Sequence, residues 1–275
     1  MRWLACLWAA AAMALGQNGA LLPNREALKL ESHFRALLDL KEAQLRNPDR
    51  DDLTRYAEAN GRLGPPSPER PRVVFLGDSI TDGWRLNEYY GGDRDFVNRG
   101  ISGQITGEML GRMKADVIDL KPRLVLVLTG TNDLARGVAL STIENNLSMI
   151  ADLAEAHHVQ PMFASVLPVS DYHQDVNRQY LRSLQRPPAK ILELNGWLKG
   201  FCEQRHFRYL DYYSAMVDKA GFMQTDLADD GLHPNAKGYR IMAPIALAAI
   251  DGIVKGDATP KKRGGIRGGL GKEHK

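Results

Sequence analysis

Cysteine is nearly absent, with two in 275 residues. Cys6 falls in an apolar leader, and Cys202 then stands alone, so no internal disulfide is expected in the mature chain. Cys202 is not expected to act as a nucleophile, because it lies in a predicted helix, Leu198 to His206, with no motif around it. Long apolar runs are also missing. The stretch Trp3 to Leu15 is too short to span a bilayer, which takes about 20 residues. No phosphate-cradling loop is present, since Gly100, Gly103 and Gly107 have the wrong spacing for one, which argues against a nucleotide-binding domain. No second histidine stands at ligand spacing beside Asp229, Asp230 and His233, which argues against a metallohydrolase. No nucleic-acid-binding module is recognisable.

What is present suits a soluble globular protein: 44% hydrophobic and 25% charged residues, enough for a sizeable core without staples. The net charge of +3 is misleading. Residues 255–275 hold seven Lys and Arg against two acids, so the rest of the chain carries 29 bases against 31 acids. That basic, Gly-rich tail is expected to be disordered. At the other end, Arg2, the apolar run and Ala12-Met13-Ala14 have the form of a secretory signal, placed at residues 1–16. Export is therefore expected, with no stable membrane insertion after cleavage. Residues 17–71 form an extension. Helical periodicity runs from Arg25 to Arg46, a second short helix is expected over Arg50 to Asn60, and a linker rich in Gly and Pro follows.

From residue 72 to 254 the pattern is α/β. Strands are expected at Arg72–Leu76, Phe96–Asn98, Leu124–Leu128, Pro161–Val166 and Phe207–Leu210. Helices are expected at Ile105–Leu120, Ser141–His157 (Ser141 and Glu144 forming a capping box), Ala189–His206 and Asn235–Val254. Pro234 suits the first turn of the last helix, and Pro244 should bend it. A polar stretch, Pro168 to Pro188, interrupts the rhythm. Alternation of this kind gives a mostly parallel sheet covered on both faces.

Asp78-Ser79, Gly103, Thr131-Asn132-Asp133 and Asp230 to His233 fall in four polar turns after separate strands, and topology gathers them at one sheet edge. Their types suit hydrolysis. A serine hydroxyl needs a base, an imidazole is suited to the task, and Asp230 three residues before His233 can orient it. Gly103 and Asn132 can donate to an oxyanion. Each also has a structural reading: Ser79 as a helix cap, Gly103 as a turn glycine, Asn132 and Asp133 as turn residues, Asp230 and His233 as caps. Asp78 and Asp133 are expected to hold loops. Trp84 and Arg85 either line the site or pack. Tyr172 and His173 lie in the polar interruption, a candidate substrate-facing loop. His157-His158 ends a helix and is expected to be structural.

Gly77-Asp78-Ser79-Ile80, Gly103, Gly130-Thr131-Asn132-Asp133 and Asp230-Gly231-Leu232-His233 resemble the four sequence blocks of the SGNH/GDSL esterase–lipase superfamily, in its order, over about residues 72–254. Val97-Asn98-Arg99-Gly100-Ile101-Ser102-Gly103 is similar to bacterial members. The resemblance implies a three-layer α/β/α sandwich with a five-stranded parallel, flavodoxin-like sheet. It also implies Ser79 as nucleophile, His233 as base, Asp230 as orienter, an oxyanion hole of Ser79, Gly103 and Asn132, and no metal or organic cofactor. The expected activity is carboxylic-ester hydrolysis, on short acyl groups such as acetyl carried by a carbohydrate. Lysophospholipid or thioester substrates, and a noncatalytic binding module, are the alternatives.

Overall fold

The computed structural model describes residues 13–15, 21–23, 35, 39 and 47–256. Most of the expected signal, most of the helix expected over 25–46, Cys6 and the tail beyond 256 lie outside the described residues. The chain divides into two compact units, Met1–Arg50 and Asp51–Lys275. In the first, Met13–Leu15 pairs antiparallel with Leu21–Pro23.

The second unit is built on five strands: β1 Val73–Gly77, β2 Phe96–Gly100, β3 Leu124–Leu128, β4 Gln160–Ala164 and β5 Arg208–Leu210. All pair in parallel, in the order β2-β1-β3-β4-β5. β1 and β3 are buried along their whole length, which is why they read as unbroken apolar runs. Helices cover both faces. On one, Val74, Leu76, Val125 and Val127 meet Ile143 and Leu147 of α7 (Leu140–Ala156) and Ile191 and Leu194 of α8 (Pro188–Arg205). On the other, Phe75, Leu126 and Leu128 meet Met242 and Ala246 of α10 (Ala236–Gly256). Each large apolar side chain so buried contributes roughly 1.5–3 kcal/mol. The remaining helices are α1 Ala57–Arg62, α2 Ser79–Asp82, α3 Leu86–Tyr90, α4 Thr106–Gly111, α5 Met113–Asp116, α6 Thr131–Ala135 and α9 Tyr212–Met216. Among the described residues no helix is long and apolar enough to cross a membrane.

Register decides where the loops emerge. Gly77 lies opposite both Gly100 and Leu128, so β1, β2 and β3 end level. Strand order reverses at β1, and the crevice beyond the carboxyl ends at such a point is where open α/β sheets bind ligands.

Three expectations are corrected. The helix expected over 105–120 is broken into α4, α5 and a 3-10 turn, Ile118–Leu120. It breaks at Gly111-Arg112, where Asp51 fills the space that a Cβ at Gly111 would need and the Arg112 guanidinium reaches inward to the carbonyls of Gly77 and Arg99. Ser141 does not cap α7. The helix starts at Leu140 behind an extended Ala139, with no side-chain cap, so that after the turn at Gly137 the cap position falls two residues ahead of Ser141. Pro234 is not in the first turn of α10. Asn235 caps that helix instead, its Oδ1 accepting from the N–H groups of Lys237 at 2.9 Å and Gly238 at 3.3 Å.

Candidate active site

The turn after β1 leaves no room for a side chain at Gly77: a Cβ there would lie 2.1 Å from Thr81 Oγ1 and 2.6 Å from the Leu128 carbonyl oxygen. The cap of α2 is Asp78, whose Oδ1 accepts from the Ile80 N–H at 2.9 Å. Ser79, freed from capping, is half-buried, and its Oγ lies 2.9 Å from His233 Nε2. Asp78 itself is buried, and its Oδ2 has no hydrogen-bond partner among the described residues. Burial pushes this carboxyl up to about 6, against the opposing pull of the Ile80 N–H and of His233.

The loop Asp230–His233 is seated on the chain at Ser170. Gly231 has φ +75°, and a Cβ there would lie 2.2 Å from the Ser170 carbonyl oxygen. The Ser170 N–H donates to the Gly231 carbonyl at 2.8 Å. Within the loop, Asp230 Oδ1 accepts from the N–H groups of Leu232 at 2.9 Å and His233 at 2.8 Å, while Oδ2 lies 2.7 Å from His233 Nδ1. Burial raises the Asp230 carboxyl, but the His233 ring and these two N–H groups outweigh it and hold it well below the usual carboxylate range. An ionised carboxylate can only accept, so it assigns the ring proton to Nδ1 and leaves Nε2 bare toward the serine hydroxyl. The three side chains form one relay, the hydroxyl donating to the imidazole and the imidazole donating to the carboxylate.

Two further groups lie in the segments that follow β2 and β3. Gly103 has φ +86°, and a Cβ there would meet nothing closer than the Arg136 guanidinium at 4.0 Å, so backbone conformation rather than space calls for glycine. Its carbonyl accepts from Arg136 at 2.8 Å, which fixes the peptide. Asn132, near the start of α6, is buried and donates one Nδ2–H to the Gln104 carbonyl at 3.1 Å. A primary amide has a second N–H to offer. Asp133 accepts from the Thr106 N–H and from its hydroxyl, the latter at 2.6 Å, and so ties α6 to α4.

Residues 75–241 match the GDSL-like lipase/acylhydrolase family. The chain belongs to that family. It is 26% identical to thioesterase 1/protease 1/lysophospholipase L1 of Escherichia coli (strain K12), the match covering 68% of this chain and 86% of that one. It is 24% identical to an acetylxylan esterase of Geobacillus stearothermophilus, over 65% and 93%. Among solved structures, a GDSL-like lipase from Bacteroides thetaiotaomicron superposes with a TM-score of 0.65 at 30% identity, over 75% of this chain and 98% of that one. The protein is an acylhydrolase, a hydrolase of ester bonds.

Other candidates in this acylhydrolase fare differently. Trp84 is 1% exposed and sits in the core, 5.4 Å from the Tyr239 ring and edge-on to Phe75 at 5.7 Å. Of the two readings open for it, lining the site or packing, its burial supports packing. Arg85 is exposed and pairs with Glu88 at 3.1 Å. Tyr172 bonds to Asp218 Oδ2 and His173 to the Thr225 carbonyl, and neither bonds to Ser79, Asp230 or His233 among the described residues. Asp229 turns to Asn235 Nδ2 at 2.8 Å, and no three His, Cys, Asp or Glu among the described residues converge as metal ligands. Burial pushes the Cys202 thiol up to about 12, far from any thiolate role.

Three neighbours of the site carry no motif. Arg182 donates to Asp230 twice, to its carbonyl at 3.0 Å and to Oδ2 at 2.9 Å. Arg186 donates from Nε to Thr131 Oγ1 at 3.0 Å and from Nη2 to Asn132 Oδ1 at 3.4 Å. Arg112, fully buried, bonds to the Gly77 carbonyl at 3.1 Å and to Gln104 Oε1 at 2.6 Å. The stretch 168–188 reads in sequence only as polar and as a candidate substrate-facing loop. The one available signal was the four-residue spacing of Arg178, Arg182 and Arg186.

Proposed function

We propose that the protein is an exported serine esterase that works through an acyl-enzyme on Ser79. The observation that carries this reading is the relay from Ser79 Oγ through His233 to Asp230, at 2.9 and 2.7 Å. In the first step the hydroxyl proton passes to His233 Nε2 as the oxygen attacks the ester carbonyl carbon. The resulting oxyanion is met by the backbone N–H groups of Ser79 and Gly103 and by Asn132 Nδ2, each donor of this type being worth on the order of 10²–10³ in rate. Collapse expels the alkoxide, which takes the proton back from the imidazolium. Water then repeats the sequence on the acyl-serine. The His233 side chain is 43% exposed, so water reaches the base without a gate.

Short acyl groups, acetyl on a carbohydrate in particular, are the substrate this reading favours. The polar segment 168–188 beside Asp230 and the similarity to an acetylxylan esterase both support it. A lysophospholipid or thioester is the second reading. It is favoured by the exposed Val176 and Leu184 on that same segment and by the Escherichia coli relative. Export rests on the sequence pattern of Arg2 and the apolar run behind it.

The test is hydrolysis of p-nitrophenyl esters from acetyl to decanoyl by wild type and Ser79→Ala, with fluorophosphonate labelling alongside. Turnover should fall by about 10³-fold or more in the variant, and the label should vanish. Activity that survives the substitution would sink the assignment. Rates that peak at long acyl chains would transfer the substrate to the second reading.

A further inference from the structure

The Asn132 amide is useful to an oxyanion in only one of its two orientations. With Nδ2 toward the reacting oxygen it donates; flipped by 180° it would present a carbonyl oxygen and repel. Two neighbours bear on that choice, and each has only one possible role. The Gln104 backbone carbonyl, 3.1 Å from Nδ2, can only accept. The Arg186 guanidinium, 3.4 Å from Oδ1, can only donate. A flipped amide would set oxygen against oxygen on one side and N–H against guanidinium on the other.

Arg186 is itself held for this task. It is 6% exposed, and its Nε bonds to Thr131 Oγ1 at 3.0 Å, so one rigid fork spans the two residues that open α6. Four residues earlier on the same segment, Arg182 holds Asp230 Oδ2 at 2.9 Å. A single irregular stretch between β4 and α8 thus contacts the carboxylate that orients the base and the amide that meets the oxyanion. A buried cation beside the amide oxygen also polarises the amide, which strengthens the N–H that remains to be used.

We propose that Arg186 is a positioning residue for the oxyanion hole, setting the orientation of Asn132 and increasing the donor strength of its amide; the proposal rests on Ser79 being the nucleophile. Arg186 touches no reacting atom. Its effect passes through Asn132 and belongs to the transition state rather than to substrate binding.

A double-mutant cycle reads this directly. Asn132→Ala, Arg186→Met and the pair are compared on p-nitrophenyl acetate. The rate of Ser79 phosphonylation by a fluorophosphonate is measured in parallel and requires no turnover. Asn132→Ala should lower kcat by about 10²–10³-fold. Arg186→Met should lower kcat by roughly 10–100-fold with KM within about threefold, and the double variant should be no slower than Asn132→Ala alone. A purely structural arginine would give losses that multiply, or would raise KM, and either result overturns the proposal, as does an unchanged kcat. Should Arg186→Met fail to fold, Arg186→Lys runs the same cycle, keeping the charge and losing the fork. An intermediate loss that disappears in the Asn132→Ala background supports the proposal, and a loss that persists there overturns it. If Ser79→Ala keeps activity, the reading of the site has failed; if Ser79→Ala is inactive and the cycle is additive, only the role of Arg186 has failed.

Discussion

Two segments brace this site, and they do so by different means. Residues 51–62, ahead of the sheet, hold mainly backbone, although Asn60 also donates to Asp116 Oδ1 at 2.8 Å and accepts from Arg99 Nε at 2.9 Å. The Tyr56 hydroxyl donates to the Gly100 carbonyl, Asn60 donates to the Ala115 carbonyl at 3.1 Å, and the Gln104 side chain donates to the Asp51 carbonyl at 3.2 Å. Arg112 ties the ends of β1 and β2 together from within, through the Gly77 and Arg99 carbonyls. Residues 168–188 reach backbone too, at the Asp230 and Gly231 carbonyls, but add bonds to two side chains, one guanidinium on the Asp230 carboxylate and another on the Asn132 amide. The difference follows from what each must fix. A loop that presents a peptide N–H, as at Gly103, needs only its path defined, and many modest bonds to carbonyls define a path. A carboxylate or an amide side chain can rotate in place, and a partner with a single possible hydrogen-bonding role removes that freedom.

The largest effect should come from breaking the first brace at its buried centre. Arg112 and Asp116 are both fully buried and lie 3.1 Å apart. Arg112→Met leaves that carboxylate without its cation and frees two carbonyls, at a cost of about 3–5 kcal/mol. Urea denaturation should show the unfolding free energy falling by that amount, with the midpoint falling in proportion; a loss under about 1 kcal/mol would mean that the loop is held by other contacts. On the second brace, Arg182→Gln removes a charge-assisted bond worth roughly 1.5–3 kcal/mol. Here kcat/KM should fall by about tenfold or more while the denaturation midpoint moves less than for Arg112→Met.

Charge near the second brace also predicts a pH signature that the first should lack. The Asp78 carboxyl, raised by burial from 3.8 to about 6, binds its proton more tightly in the folded state than in the unfolded one. The stability it contributes is therefore complete below about pH 3.9, the unfolded value, and is lost as pH rises through about 6. Thermal melts of wild type minus Asp78→Asn should diverge across that window, wild type losing about 3 kcal/mol relative to the variant by pH 7 to 8. A difference independent of pH would mean that Asp78 titrates normally.

How much of this was legible depends on whether the information is local. β1 and β3 were readable because a strand buried on both faces must be apolar at every position, and Val73–Leu76 and Leu124–Leu128 are. The residues of the relay were readable as a set because four polar turns after parallel strands must share an edge. The capping role of Asp78 was missed because Asp and Ser are both good caps and adjacent, so propensity alone does not choose between them. The break at Arg112 was missed because helical spacing continues through it; what stops the helix is a guanidinium bonding to carbonyls far away in sequence. Arg182 and Arg186 were missed for the same reason: a surface arginine and one buried against Asn132 look identical in sequence until the chain is folded.

The smallest predicted effect tests the comparison most closely. Tyr56→Phe deletes one hydroxyl that bonds to the Gly100 carbonyl. It keeps the ring, over which the Arg99 guanidinium lies at 4.6 Å, so packing and the cation–π contact survive. Stability should fall by about 1 kcal/mol, the net worth of one such bond, and equally from pH 4 to 8, because burial raises the Tyr56 hydroxyl further above its usual 10. The rate should barely move, with kcat within about twofold, since Asn60 and Arg112 still define the path of the loop. Arg186→Met should show the opposite ratio, a modest stability change with a large loss in kcat. If Tyr56→Phe instead lowered kcat tenfold, the two braces would not differ in kind, and Gly103 would depend on its support as closely as Asn132 depends on Arg186.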